Sequence, residues 1–149
     1  EDGEFVRDTS PGPGGRHGKP WTYKVVIRDK DHPITRGLPT EFLQVKEELY
    51  DRMRGPAENM EVLAPGLATG GSERPAPVLM TIKYGKGRVF HTVMGHDHKS
   101  MQGIAFQETL LRGTEWAATG DVTFPPVSAE LLPADEAIYR EPKDLKPQP

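Results

Sequence analysis

The sequence lacks cysteine altogether. This absence excludes disulfide bonds, thiolate metal sites and cysteine nucleophiles, and it leaves the redox compartment open. The chain also lacks any apolar run that approaches the roughly 20 residues needed to cross a bilayer, so we expect a soluble protein with no transmembrane segment. The net charge is only -3 and no block of basic residues occurs, so nucleic acid is not an expected partner.

Hydrophobic and aromatic residues are scarce, at 35% and 7% of the 149 residues, whereas there are 16 glycines and 15 prolines. The length fits one domain, and the composition predicts a core that occupies only part of the chain. Clusters of glycine and proline divide it into an irregular N-terminal arm (1–20), a folded domain (21–119) and a proline-rich C-terminal tail (120–149). We expect the tail to lie on the body of the protein or on a neighbour, with at most one helical turn at 134–139.

The most regular stretch of the sequence is 78–118. Apolar residues alternate along 78–83 and again along 89–94, and the glycines between them allow a tight reversal, which predicts a β-hairpin with at least one strand covered on both faces. From Phe106 the spacing becomes that of an amphipathic helix, and Gly113 within it indicates close contact with a strand. The predicted inward face contains Phe106, Leu110, Gly113 and Ala117, widened by Leu111 and Trp116, and the predicted outward face contains Glu108, Arg112 and Glu115.

The earlier part of the folded domain is less regular. Residues 21–28 alternate as in a strand, and 31–39 predict a structured turn that a proline opens and a glycine closes. Residues 42–50 fit either a helix or a strand. A short strand is predicted at 60–64 and a loop at 65–77.

Four segments resemble the C-terminal half of a known family. They are DHPITRGLP (31–39), EELYD (47–51), PVLMTIKYGKGRVFHTVMGHD (77–97) and FQETLLRGTEWAA (106–118). In this order and at this spacing they are similar to ThuA-like (trehalose utilisation) domains, which resemble class I glutamine amidotransferases in fold. The resemblance implies an α/β, flavodoxin-like sandwich that is truncated at its N-terminus and ends in a β-hairpin and a helix. It also implies that the EELYD segment is extended.

The loop that follows the hairpin supplies the best candidate for chemistry, His96. In the amidotransferase fold a histidine at a comparable strand end is the base for a cysteine nucleophile, but a chain without cysteine cannot perform that acyl transfer. The remaining reading is general acid/base catalysis by His96, with Asp97 or Glu48 to orient its ring and His32 as a fourth catalytic residue. The alternative reading is that His96 and His32 only cap neighbouring backbone.

The acidic EELYD segment supplies the candidate substrate-binding residues, Tyr50 and Glu47. On a strand Glu48 and Tyr50 share a face, which directs a carboxylate and a phenol together at a sugar hydroxyl, while solvent-exposed charge is the alternative. No cofactor is predicted. A divalent metal held by His96 and His98, which share a face of an extended segment, is the alternative to a set of hydrogen-bonded histidines.

Two functions agree with these observations. The first is carbohydrate utilisation, in which proton transfer at His96 acts on trehalose, a related sugar or its keto form. The second is a non-catalytic subunit that docks in a larger complex through its surface and irregular termini, with another protein or a second copy as partner. The chain begins at Glu1 rather than methionine, so we expect either a piece of a longer protein or a processed mature chain outside the cytoplasm.

Overall fold

The computed structural model describes residues 8–54, 58–68 and 75–141. Over these residues it contains seven strands, one short 3-10 helix (Ser100–Gln102) and one α-helix, α1 (Ile104–Thr119). The strands are β1 (Arg16–His17), β2 (Trp21–Val26), β3 (Glu41–Glu47), β4 (Tyr50–Asp51), β5 (Met60–Ala68), β6 (Ala76–Tyr84) and β7 (Gly87–Thr92).

Five of these strands form one sheet in the order β3-β2-β5-β6-β7, and β1 and β4 form a separate two-stranded sheet. Each described pair of strands is antiparallel. The fold is therefore of mixed α/β type and rich in strands, with one helix in the described part. A flavodoxin-like sheet is built mostly from parallel strands, whereas the described pairs are antiparallel. The flavodoxin-like arrangement therefore remains a prediction.

The predicted hairpin is confirmed as β6 and β7. Tyr84 pairs with Gly87 across a two-residue turn, and Gly85 has a φ of +58°, which a glycine adopts without strain. The middle of β6 is buried on both faces, as expected, whereas β7 is a largely exposed edge strand. Residues 42–47 lie in β3 and Tyr50–Asp51 form β4, so this stretch contains strands and no helix, in agreement with the extended EELYD segment that the resemblance implied.

Strand β5 extends further than the sequence predicted, because residues 65–68 pair with both neighbouring strands instead of forming a loop. Pro65 lacks the N–H that a regular ladder requires. The register between β5 and β6 shifts between Ala64 and Pro65, and this irregularity accommodates the proline.

Helix α1 contacts both edge strands of the sheet, β3 and β7, and so crosses one of its faces. A methyl group added at Gly113 would overlap the ring of Phe90 in β7, so the predicted close contact between this glycine and a strand is confirmed. The helix ends at Gly120, which has a φ of +92° and donates its N–H to the carbonyl of Trp116 at 2.8 Å. No helix among the described residues has the length and apolar character that a membrane crossing requires.

The predicted inward face of α1 is confirmed in part, because Gly113 and Trp116 are buried, but the prediction is wrong for three other residues. Arg112 is buried, whereas Leu110 and Leu111 are exposed. The Arg112 guanidinium donates to the carbonyl oxygen of Arg36 at 3.1 Å and to that of Pro125. These bonds compensate the cost of burying a charged group, and the close fit of Gly113 against Phe90 fixes the rotation of the helix.

Both terminal segments contact the body of the protein where they are described. In the arm, β1 pairs with β4, so 1–20 is not wholly irregular; residues 1–7 lie outside the described part, as do 142–149. The described tail packs Val122 and Leu132 into the core. No helical turn forms at 134–139; the tail turns at 128–132 instead, and Tyr139 forms an extended bridge with Gly103.

Candidate functional site

The candidate site is centred on the carboxylate of Glu48, just after β3. The Nδ1 atom of His96 lies 3.2 Å from its Oε2 atom, and the Nδ1 atom of His17 lies 3.3 Å from its Oε1 atom. The hydroxyl of Tyr50 donates to Oε2 at 3.2 Å. Only 12% of the Glu48 side chain is exposed, against 47% for His96 and 45% for His17, so a nearly buried carboxylate supports two accessible imidazoles. We call these four residues the Glu48 cluster.

Three separate segments build this cluster. Strand β1 pairs with β4 so that His17 lies opposite Tyr50, and their rings are 5.2 Å apart between centroids. His96 comes from the loop after β7, where Gly95 has a φ of +98°. A side chain at Gly95 is also excluded by space, because an added Cβ would lie 2.6 Å from Cε2 of Phe106.

The partners of the two imidazoles assign their tautomers. Nδ1 of His17 lies 3.0 Å from the carbonyl oxygen of Gly18 as well as near Glu48, and oxygens of these kinds accept hydrogen bonds. Nδ1 of His96 likewise faces a carboxylate oxygen. The proton of each neutral ring is therefore assigned to Nδ1, which leaves Nε2 unprotonated and able to act as a base.

Tyr50 is suited to be a hydrogen-bond donor in this cluster. Burial raises the pKa of its phenol, and the hydrogen bond to Glu48 and the charges of the two neighbouring glutamates add to that effect. The phenol therefore stays neutral at physiological pH. Its contact with Glu48 agrees with the prediction that these two side chains share a face.

Glu47 has a different environment from the one expected of a substrate-binding residue. Its side chain is fully enclosed, with 1% of the residue exposed. Its carboxylate accepts backbone N–H groups from Gly95 at 2.6 Å, from His96 at 3.2 Å and from Glu48 at 3.1 Å. The carboxylate of Glu47 is thus occupied by backbone contacts instead of facing a ligand.

Asp97 caps the turn that follows the site. Its Oδ1 atom accepts the backbone N–H groups of Lys99 and Ser100, both at 2.8 Å. The bond from Ser100 is the main reason why the pKa of Asp97 is lowered. The carboxylate therefore orients the backbone of this turn and not the ring of His96, which Glu48 contacts instead.

The metal alternative gains no support from the described ranges 8–54, 58–68 and 75–141. Within them, no group of three or more histidine, aspartate or glutamate side chains has an arrangement that holds a metal ion. His98 is exposed in the turn after His96.

His32 lies in the turn before β3 and packs on α1. Its ring centroid is 5.1 Å from that of Trp116, and its Nδ1 atom accepts the N–H of Ile34 at 3.2 Å. Burial lowers the pKa of His32, and the charges of Glu61 and Asp29 oppose that shift. These contacts match the capping alternative, and they do not join His32 to the Glu48 cluster.

His17 is the member of the cluster that the sequence did not reveal. It lies in a segment rich in glycine and proline, and the strand that carries it has only two residues, so neither periodicity nor a motif marks it. A lone imidazole in an otherwise featureless arm was the only available signal. Its position depends on the pairing of β1 with β4, in which His17 lies opposite Tyr50, a residue 33 positions later in the sequence.

Buried polar groups lie close to Glu47, in β2 and β3. Tyr23 and Gln44 face each other across these strands, and both are fully buried. The Tyr23 hydroxyl and the Gln44 Oε1 atom have no hydrogen-bond partner among the described residues. Burial raises the pKa of Tyr23 strongly, and the charge of Glu47 contributes in the same direction.

The fold and the site define a class of protein: a strand-rich α/β domain in which two histidines contact one carboxylate. Residues 4–117 match the ThuA family, described as trehalose utilisation, and the chain belongs to that family. No curated protein matches it.

Two crystal structures of ThuA-like proteins are similar to this chain. One, from Parabacteroides merdae, is 43% identical with a TM-score of 0.84, over 94% of this chain and 53% of that one. Another, from Bacteroides uniformis, is 21% identical with a TM-score of 0.52, over 76% of this chain and 51% of that one, and supports the fold alone. The chain therefore spans about half the length of these structures.

Proposed function

We propose that this chain carries the acid/base centre of a ThuA-like enzyme of carbohydrate utilisation, acting on trehalose, a related sugar or its keto form. The observation that carries the proposal is the contact of two accessible imidazoles with one nearly buried carboxylate. Glu48 accepts the Nδ1–H of each ring, so that both Nε2 atoms are free to exchange protons with a substrate.

A keto sugar suits two imidazoles because its carbonyl makes the adjacent C–H group acidic. His96 takes that proton, the C–H electron pair forms a carbon–carbon double bond, and the carbonyl electron pair moves to its oxygen. His17, as imidazolium, protonates that oxygen and yields an enediol. The hydroxyl of Tyr50 stabilises Glu48 throughout, since it remains a neutral donor.

We also propose that the sheet continues as a flavodoxin-like sandwich in the part of a ThuA-like protein that this chain does not span. The 53% share of the Parabacteroides merdae structure supports this extension. A substrate would then contact both parts, with the Glu48 cluster contributing the proton-transfer groups.

Replacing His96 with glutamine tests the proposed chemistry. We expect the rate of deuterium incorporation next to the carbonyl of a keto derivative of trehalose, followed by NMR in D₂O, to fall by about 10²–10⁴-fold, because the base is lost. The matched control is His91→Gln, which removes an exposed histidine of β7 and should leave the rate unchanged. Exchange at the parental rate in the His96 variant would rule out this base.

A second candidate function, a non-catalytic subunit that docks in a larger complex, is supported by the exposed Leu110 and Leu111 on α1. Apolar side chains on the open face of a helix favour burial against a partner. We expect sedimentation velocity to show self-association that the double change Leu110→Gln and Leu111→Gln abolishes. A monomer at every concentration, in the unaltered protein, would contradict docking to a second copy.

A further inference from the structure

Among the described residues, no strand ladder holds the loop that carries His96 against Glu48. It leaves β7 at one edge of the five-stranded sheet, whereas Glu48 follows β3 at the opposite edge. The loop must therefore cross the end of the sheet before His96 reaches its partner. Something other than sheet pairing has to fix its distance from Glu48.

We propose that Glu47 is the positioning residue that fixes this loop. Its Oε2 atom accepts the N–H of Gly95 at 2.6 Å, and its Oε1 atom accepts the N–H of His96 at 3.2 Å. The same Oε1 atom accepts the N–H of Glu48 at 3.1 Å. One buried carboxylate thus joins the backbone of the loop to the backbone of the residue that receives the imidazole. This role rests on the proposed function, because it is defined by the placement of the proposed base.

Glu47 and Glu48 make their contacts on opposite sides of the chain. Glu47 is enclosed and binds the loop through its amides, while Glu48 contacts the imidazole of the same loop at 3.2 Å. Adjacent residues of an extended segment point to opposite sides, which explains how successive carboxylates bind the backbone and the side chain of His96 separately. The sequence pattern Glu-Glu therefore encodes two different contacts.

A carboxylate is required at this position because it only accepts hydrogen bonds. The amides of Gly95, His96 and Glu48 are all donors, and the side-chain amide of Gln44 adds a further donor 3.4 Å away. A glutamine at position 47 would bring its own NH₂ group against these donors. At least one backbone N–H would then lose its acceptor in a buried place.

The experiment compares Glu47→Gln with the unaltered protein by amide hydrogen exchange and by ¹⁵N NMR of the imidazoles. We expect the amides of Gly95 and His96 to exchange about tenfold faster or more, because bonds to a charged acceptor are lost. The fraction of the His96 ring with its proton on Nδ1 should also fall. Glu41→Gln removes a carboxylate from the start of the same strand and should change neither quantity.

Kinetic measurements separate positioning from substrate contact. With the keto derivative of trehalose, Glu47→Gln should lower kcat while KM changes by less than about twofold, because this enclosed carboxylate does not reach the substrate. A rise in KM at constant kcat would overturn the positioning role. So would unchanged exchange of both amides together with an unchanged His96 tautomer.

A second measurement applies if Glu47→Gln fails to fold. In the unaltered protein, the amides of Gly95 and His96 should exchange as slowly as those in the middle of β6, and exchange at the rate of an open loop would overturn the proposal. The failure of the proposed function remains distinguishable. Turnover at the parental rate in His96→Gln would exclude His96 as the base. The exchange rates of the Gly95 and His96 amides would still test whether Glu47 binds the loop.

Discussion

Replacing Glu48 with glutamine is expected to lower kcat/KM for a keto-sugar substrate by about 10²–10⁴-fold. The carboxylate contacts both His96 and His17, so the change removes the hydrogen-bond acceptor that orients the two rings. It also places an NH₂ donor where at least one Nδ1–H needs an acceptor, which favours the wrong tautomer of that ring. Deuterium incorporation into the substrate, measured by NMR, gives the rate.

Two variants serve as controls for Glu48→Gln. Glu61→Gln removes an exposed carboxylate from β5 and should leave turnover unchanged. Tyr50→Phe removes one donor to Glu48 while both imidazole contacts remain, so its effect should be much smaller, at about tenfold or less. If Glu48→Gln turned over at the parental rate with an unchanged urea midpoint, the acid/base centre would have to lie elsewhere.

Replacing Gly113 with alanine should lower the free energy of unfolding by about 1–3 kcal/mol. Alanine favours a helix by about 1 kcal/mol relative to glycine, which would stabilise an exposed position. Here the added methyl group overlaps ring atoms of Phe90, so α1 and β7 must separate or the ring must move. Urea unfolding of both proteins measures the difference.

A second background tests whether Phe90 causes that loss. In Phe90→Leu the alanine at 113 should cost less, with a coupling energy of about 0.5–3 kcal/mol between the two positions. Gly14→Ala is the control, because an added methyl group there meets no atom within 4 Å. Equal costs in both backgrounds would show that the close fit of α1 on β7 is not the reason.

Part of the candidate site was accessible from the sequence. The resemblance placed His96 at a strand end and Glu48 on an extended segment, and the structure brings the two within 3.2 Å. Asp97 and His32 were predicted for the same site, but their contacts lie in turns of their own. A carboxylate or an imidazole next to a glycine or proline can either cap backbone N–H groups or take part in chemistry. Only its hydrogen-bond partners in the folded chain distinguish these two roles.

The orientation of α1 shows a limit of periodicity. Arg112 was expected on the open face because a charged residue is costly to bury. It is buried because the carbonyl oxygens of Arg36 and Pro125 receive its guanidinium, and both come from segments outside the helix. Leu110 and Leu111 are exposed as a consequence. A hydrophobic pattern contains no information on partners of this kind.

The sequence by itself determined the features whose signals are local: the hairpin with its glycine turn, the close approach marked by Gly113, and the exclusion of thiol chemistry. Only the tertiary structure decided that His17 joins His96 on Glu48, that Glu47 turns inward to bind the loop, and that Arg112 is buried. The physical reason is that each of these depends on hydrogen-bonding partners distant in sequence. Turn and strand preferences act between near neighbours, whereas the burial of a charge is settled by what the whole fold places beside it.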